Sequence, residues 1–174
     1  MKHGYLLVDG YNIIFAWEEL NKLAEESVSA ARQKLCDIMC DYQGLSGMVV
    51  IVVFDAHLVE GGMGSVAEYH NITVVYTKEA ETADHYIEQT TARLSKYDKV
   101  TVATSDALEQ IIILSRGAQR MSARDLFENI QYARTHIKEK YLDNRPAKNN
   151  PLAGLLDEET ARKLDAMRYH RPKR

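Results

Sequence analysis

The sequence predicts an α/β protein in which a central, mainly parallel β-sheet is covered by helices. Short apolar runs alternate along the chain with longer amphipathic stretches, which is the rhythm of repeated strand–helix units. The run "MVVIVVF" at 48–54 has no alternation of apolar and polar residues, as expected of a strand buried on both faces. Acidic residues directly follow several predicted strands, at the sheet edge where open parallel sheets bind their ligands.

Local signals assign the elements in chain order. Ser27 or Ser29 is a suitable N-terminal cap for the first predicted helix. The predicted strands cover residues 5–8, 48–54, 72–76, 100–103 and 119–121. The predicted helices cover residues 27–42, 82–94, 106–115, 122–141 and 157–167. The segment "GGMGS" at 61–65 has the composition of a flexible loop.

Length and composition indicate one main folded domain. The chain has 174 residues, of which 45% are hydrophobic, and it is therefore too apolar for a disordered protein. We expect this domain to span 1–142, and 143–174 to form a loop, a helix and a basic tail that pack on it or extend from it. The longest apolar run, 48–54, is far shorter than the roughly 18 residues of a membrane span. The sequence therefore predicts a cytoplasmic protein without a membrane segment.

Acidic side chains are expected to gather at the carboxyl edge of the sheet. Asp9 ends the first strand, Asp55 ends the second, and Asp106 follows the fourth in "VATSD". After the third strand, "TKEAETADHYIEQ" carries Glu81 and Asp84 at helical spacing, which would place both on one helix face. A single acid in such a position is more often a helix cap or a turn former. Four strands that are each followed by an acid favour a shared site instead.

The chemistry of this edge favours a hard divalent cation. Clustered carboxylates raise one another's pKa unless a cation joins them, and oxygen ligands select Mg²⁺ or Mn²⁺. Such ions act chiefly on phosphate, because they polarise a phosphoryl oxygen and lower the pKa of a bound water. The sequence has no P-loop motif, and Cys36 and Cys40 lack the partner pair of a zinc site. A haloacid-dehalogenase-like phosphatase is disfavoured, because Tyr11 stands where that family needs a second acid.

Five ordered segments resemble the YacP-like branch of the NYN domain family, whose members are relatives of the PIN-domain nucleases. The segments are "LLVDGYNII", "VVIVVFDAHLVEGG", "VVYTKEAETADHYIE", "VATSD" and "RGAQRMSARDLFENI", and together they extend to about residue 141. The resemblance implies a PIN-like, three-layer fold and a metal-dependent endoribonuclease with Mg²⁺ or Mn²⁺ as cofactor. Bacterial members of this branch associate with ribosomes and cut mRNA during translation, so mRNA and the ribosome, through its rRNA, are the implied partners.

The resemblance also implies roles for individual residues. The implied catalytic residues are Asp9, Asn12, Glu81, Asp84 and Asp106, and the implied metal ligands are Asp9, Asp55, Asp84 and Asp106. We expect Asn12 to orient a water or a neighbouring carboxylate from a turn that follows the first strand. His85 departs from the family pattern, because an additional acid often stands there in PIN-like proteins, and the number of metal ions is therefore open.

A second group of candidate residues is basic. The overall charge of −3 combines an acidic first part with a basic last part, which suggests an anionic partner for the latter. The candidates for contact with RNA phosphates are Arg116, Arg120, Arg124, Lys138, Arg145 and Lys148. The predicted function is a metal-dependent endoribonuclease that cleaves mRNA in a ribosome-dependent manner. The alternative is an RNA- or ribosome-binding module that does not cut, and the oligomeric state is open.

Overall fold

The computed structural model describes residues 4–55, 63–78, 81–106, 115 and 117–143, and for residues 63 and 137–143 it describes the backbone only. The chain divides into two compact units, residues 1–137 and 138–174. All described strands belong to the first unit, and the described part of the second is the end of one helix. The predicted helix at 157–167 and most of that at 106–115 lie outside the described residues. The predicted boundary after residue 142 stays a prediction.

Six strands and five helices make up the described chain. In order they are β1 (Tyr5–Asp9), α1 (Gly10–Ala16), α2 (Glu18–Glu26), α3 (Val28–Ser46), β2 (Val49–Phe54), β3 (Met63–Tyr69), β4 (Ile72–Lys78), α4 (Ala83–Leu94), β5 (Val100–Ala103), β6 (Gln119–Met121) and α5 (Ala123–Asp143). Within the described residues, none of these helices is both long and apolar enough to cross a bilayer.

The strands form one sheet in the order β3-β4-β2-β1-β5-β6. All described neighbours pair in parallel except β3, which runs antiparallel to β4. The chain passes from β1 to one side of the sheet and later returns to add β5 and β6 on the other side. The strand order therefore reverses between β1 and β5, and ligands of such sheets bind in the crevice outside this point. The predicted α/β class with a mainly parallel sheet is confirmed.

Helices cover both faces of the sheet and give it three layers. On one face, α1, α2, α3 and α5 share a buried apolar cluster with strand residues such as Leu6. On the other face, α4 packs against a second cluster that contains Leu7 and Val53. Residues two apart on a strand point to the same face. Asp9 follows Leu7 by two positions, and Asp55 follows Val53 by two positions. Both acids are therefore placed on the α4 side of the carboxyl edge.

Three segments differ from the sequence-based expectations. The stretch after β1, for which the sequence predicts no helix, forms α1 and α2, with extended backbone at Trp17 between them. The α3 helix begins after the predicted cap Ser27 but continues to Ser46, where Gly47 takes the left-handed φ of 68°. The loop predicted for 61–65 is wrong at its end, because residues from Met63 onward pair with β4 across a hairpin. Tertiary pairing overrides the local glycine composition there.

Gly10 is the first residue of α1 and lies against the buried ring of Phe54. A Cβ atom at this residue would come within 2.9 Å of Cζ of Phe54 and closer still to two other ring carbons. Phe54 is fully buried and in contact with the rings of Tyr11 and Tyr76, so it has little room to move aside. The close approach therefore requires a residue without a side chain.

We expect Gly10→Ala to lower the free energy of unfolding by about 1–3 kcal/mol, because an overpacked core forces side chains or backbone to shift. Urea denaturation with an unchanged m-value would measure this loss. Gly44→Ala is the matched control, since a Cβ there meets nothing within 4 Å and the residue lies inside α3. Equal stability of Gly10→Ala and wild type would contradict the steric argument.

Candidate active site

Asp9 ends β1 and caps the N-terminus of α1. Its Oδ1 accepts a hydrogen bond from the backbone N–H of Asn12, with an N–O distance of 3.2 Å. The residue is only 7% exposed. Burial raises the pKa of Asp9 from 3.8 to about 6, partly opposed by the hydrogen bond from Asn12 and reinforced by the nearby acids. The reinforcing carboxylates are those of Asp84, Asp55 and Asp106.

The other three carboxylates come from three further segments. Asp55 directly follows β2, and its Oδ2 accepts a hydrogen bond of 3.4 Å from the backbone N–H of Ala83, the first residue of α4. Asp84 lies in the first turn of α4 and is exposed. The pKa of Asp84 is raised by partial burial and then by the carboxylates of Asp106 and Asp55. Four predicted metal ligands therefore lie within electrostatic range of one another at the carboxyl edge.

Asn12 bridges the crevice between β1 and β5. Its Oδ1 accepts a hydrogen bond from the backbone N–H of Ser105 at 2.6 Å, between residues 93 positions apart. The backbone N–H of Asp106 in turn donates to Oγ1 of the buried Thr104 at 3.1 Å. These two bonds fix the segment that carries Asp106 relative to α1. The expectation that Asn12 acts from a turn was wrong, because the cap at Asp9 starts a helix immediately.

Glu81 is placed differently from the other predicted acids. It precedes α4, so the helical spacing expected for Glu81 and Asp84 does not hold. The residue between the helix and Glu81 is Thr82, whose side chain caps α4 by accepting a 3.3 Å hydrogen bond from the backbone N–H of His85. The charges that raise the pKa of Asp84 are those of Asp106 and Asp55. A catalytic role of Glu81 stays a prediction.

Two of the predicted basic residues are described with their side chains. Arg120 is exposed on β6, and Arg124 is exposed in the first turn of α5, with its Nε 2.9 Å from Oε1 of Glu128. Because β6 runs parallel to β5, α5 begins at the same sheet edge as the carboxylates. Arg116, Arg145, Lys148 and the side chain of Lys138 lie outside the described residues.

An aromatic group near the carboxyl edge, on the sheet face opposite α4, was not foreseen from the sequence. The ring of Phe54, directly before Asp55, has its centroid 5.2 Å from that of Tyr11 and 5.6 Å from that of Tyr76. Tyr11 also stacks on Phe15 at 6.3 Å. We call Phe15, Tyr11, Phe54 and Tyr76 the aromatic shelf. The available signal was the presence of aromatic residues next to Asp9 in "VDGYNIIF" and next to Asp55 in "VVFD".

A three-layer α/β fold with four carboxylates at the switch point of its sheet is the arrangement of a nuclease-like fold. The chain belongs to the YacP-like NYN domain family, whose model matches residues 6–169. The resemblance inferred from the sequence is thereby confirmed, and the match extends well beyond residue 141.

Relatives from one organism support this assignment. The chain is 43% identical over 136 residues to "Uncharacterized protein YacP" of Bacillus subtilis strain 168. The matched region covers 78% of this chain and 79% of that protein. It also matches a crystal structure of a mutant of Rae1 (YacP) from B. subtilis, with a TM-score of 0.70 and 36% identity over 94% of this chain and 99% of that one. A second crystal structure of Rae1 (YacP) matches with a TM-score of 0.67 and 39% identity, covering 94% of each chain.

Proposed function

We propose that this protein is a divalent-metal-dependent endoribonuclease of the cytoplasm that cleaves mRNA phosphodiester bonds in a ribosome-dependent manner. One observation carries the proposal: Asp9, Asp55, Asp84 and Asp106 gather at the switch point of the sheet, where burial and, to a smaller extent, the other three carboxylates raise the pKa of Asp9. Membership in a family whose domains are generally nucleases supports the same conclusion.

The donor set of this edge suits Mg²⁺ or Mn²⁺. All four side chains offer carboxylate oxygens, and a cation would offset the burial and the mutual repulsion that raise the pKa of Asp9 and Asp84. In the part of the chain that the structure describes, no three His, Cys, Asp or Glu side chains are close enough together to form a complete metal cage. An open arrangement is compatible with Mg²⁺, which usually keeps several water ligands and uses one or two carboxylates.

The residues of the site would have different roles in RNA cleavage. A bound ion would polarise a phosphoryl oxygen of the RNA and lower the pKa of a bound water. Asp9, buried and held by its cap hydrogen bond, would provide a fixed ligand, while the exposed Asp84 and Asp106 would face the incoming phosphate. Asn12 acts as a positioning residue, because its bond to Ser105 holds the segment that bears Asp106. Glu81 remains a catalytic candidate at the entrance to α4.

The basic residues at the start of α5 would hold the RNA backbone. Arg124 is paired with Glu128 at the surface, and such exposed pairs are worth about 0–1 kcal/mol. Its guanidinium can therefore exchange the carboxylate for a phosphate at little cost. Arg120 on the neighbouring strand would extend this contact. Arg116, Lys138, Arg145 and Lys148 are proposed as further contacts with RNA or with the ribosome.

Mapping of new 5′ ends in a reconstituted translation mixture tests the proposal. Wild type is compared with Asp84→Asn, each on translated mRNA and on the same mRNA without ribosomes. We expect wild type to cut the translated mRNA and Asp84→Asn to cut about a hundredfold less, because it loses a proposed metal ligand. Asp98→Asn is the matched control, since this residue follows the opposite end of α4 and should leave cleavage unchanged.

The arms of this experiment separate the two functional classes. Cuts on free mRNA as well would keep the nuclease and remove the requirement for ribosomes. No cuts by wild type on several mRNAs, together with binding to ribosomes, would favour the RNA- or ribosome-binding module that does not cut.

A further inference from the structure

We propose that Phe15, at the open end of the aromatic shelf, is a stacking platform for a base of a single-stranded RNA that is bound at the carboxyl edge of the sheet. This subsite rests on the proposed function in one respect, namely that RNA is the ligand of the neighbouring acids. It adds a contact that recognises bases, whereas the acids and the basic residues recognise phosphate. Stacking on an aromatic ring tolerates any base, because every base has a π-face.

The Phe15 side chain is exposed at a place where exposure serves no evident packing purpose. It is 52% exposed, although it carries no polar atom that would benefit from water. Single exposed apolar side chains are common in proteins, so exposure alone does not identify a site. What distinguishes Phe15 is its place on α1, the helix that Asp9 caps and that also carries Asn12.

The inner side of Phe15 is held in place by the rest of the shelf. Its ring lies nearly parallel to that of Tyr11, at an interplanar angle of 20° and a centroid distance of 6.3 Å. Tyr11 is itself 7% exposed, and its ring meets the buried Phe54 edge-on. The Tyr11 hydroxyl accepts a hydrogen bond of 2.8 Å from Nη1 of Arg32. A ring held in this way loses little further freedom when a base stacks on it.

The position of Phe15 suits a strand whose phosphate lies at the acids. With a rise of about 1.5 Å per residue, Phe15 lies about 9 Å along α1 from Asp9. Neighbouring nucleotides of the same strand could therefore reach both places. Phe15 also follows Asn12 by three positions on α1, so both lie on one side of this helix, and Asn12 meets Ser105 next to Asp106.

The charge next to the shelf favours RNA over an apolar peptide. Arg32 brings a guanidinium to Tyr11. Its charge also reaches Tyr76, where burial raises the pKa and Arg32 partly opposes this rise. A cation beside stacked rings is the combination with which proteins bind single strands without sequence preference.

Binding of a labelled oligoadenylate, measured by fluorescence anisotropy in EDTA, tests the subsite without cleavage. We expect Phe15→Ala to weaken binding about 5- to 100-fold and Phe15→Trp to retain it. Phe15→Leu keeps an apolar side chain but lacks a flat ring, so it should lose binding as Phe15→Ala does. The matched control is Phe127→Ala, because Phe127 is 46% exposed on α5 and packs on Trp17, and binding should change less than twofold.

An abasic strand of equal length completes the test. If Phe15 stacks on bases, wild type and Phe15→Ala should bind this strand equally. Absence of wild-type binding to oligoadenylate at low salt, equal binding by wild type and Phe15→Ala, or retention by Phe15→Leu would each overturn the subsite. Thermal unfolding of each variant identifies any that fails to fold. If Phe15→Ala fails to fold, the comparison of RNA binding by Phe15→Trp and Phe15→Leu decides whether a flat ring is needed. Because EDTA excludes cleavage, binding that depends on Phe15 would be measured whether or not the protein cuts RNA, and failure to cut in the separate cleavage assay would refute only the proposed nuclease function.

Discussion

Replacement of Asp9 by Asn is expected to abolish RNA cleavage while raising the stability of the metal-free protein at neutral pH. Cleavage should fall about a hundredfold or more, because a neutral amide is a poor ligand for a hard cation. Stability should rise because the buried carboxylate is ionised unfavourably at this pH. The amide oxygen of Asn can still accept the hydrogen bond from the backbone of residue 12, so the cap of α1 is kept.

The sign of the stability change follows from the pKa of Asp9. Its value in the folded protein, about 6, lies above the ordinary 3.8, so the folded state binds this proton more tightly than the unfolded state. The resulting stabilisation is complete below about pH 3.8 and is lost as the pH rises through about 6. Two pKa units correspond to about 3 kcal/mol, which sets the largest gain expected for Asp9→Asn at neutral pH.

Urea unfolding at neutral pH in EDTA and the cleavage assay together measure the two effects. Asp125→Asn is the control with the opposite sign. Its carboxylate also lies at a helix start, but hydrogen bonds from Ser122 lower the pKa of Asp125, so its loss should destabilise the protein. Lower stability of Asp9→Asn in EDTA would show that the carboxylate is not electrostatically unfavourable in the fold. Undiminished cleavage by this variant would remove Asp9 from the reaction.

Addition of Mn²⁺ is expected to stabilise the wild-type protein at neutral pH and to have much less effect at about pH 5. An ion that binds the folded state alone adds about 2.7 kcal/mol at a hundredfold excess over its Kd. Binding requires an ionised Asp9, and below its pKa of about 6 protons compete with the metal for this carboxylate. The stabilisation should therefore increase as the pH rises through about 6.

Thermal or urea unfolding with Mn²⁺ and with EDTA at both pH values measures this dependence. Asp9→Asn should show little stabilisation at either pH, whereas Asp125→Asn should respond like wild type. Equal stabilisation of wild type at both pH values would place the ion at another site. The same result in Asp9→Asn as in wild type would exclude Asp9 as a ligand.

The sequence was sufficient for the features that depend on local signals. An uninterrupted apolar run located β2, and the capping residue Ser27 located the start of α3. The gathering of the acids also followed from the sequence, because the ends of parallel strands meet at one edge whatever the details of packing. For this reason the positions of Asp9 and Asp55 could be expected before the structure was known.

The remaining features depend on contacts that no local pattern contains. The strand β3 exists because β4 offers a partner, and its glycine-containing start gives no sign of this. The extent of the pKa shift at Asp9 reflects burial, which depends on how α4 covers the sheet. The exposure of Phe15 likewise results from packing, since Phe54 in the same aromatic shelf is fully buried.

The hydrogen bond between Asn12 and Ser105 also bears on the order in which the protein folds. Contacts between residues 93 positions apart require closure of a long loop, and parallel pairing of such distant segments forms slowly. A chain emerging during synthesis cannot complete this contact until β5 and Ser105 are available. We therefore expect newly made chains to pass through a state with helices α1–α3 and strands β1 and β2 but without an assembled acidic site. The fold would thus delay the proposed cleavage of RNA until synthesis of the chain is nearly complete.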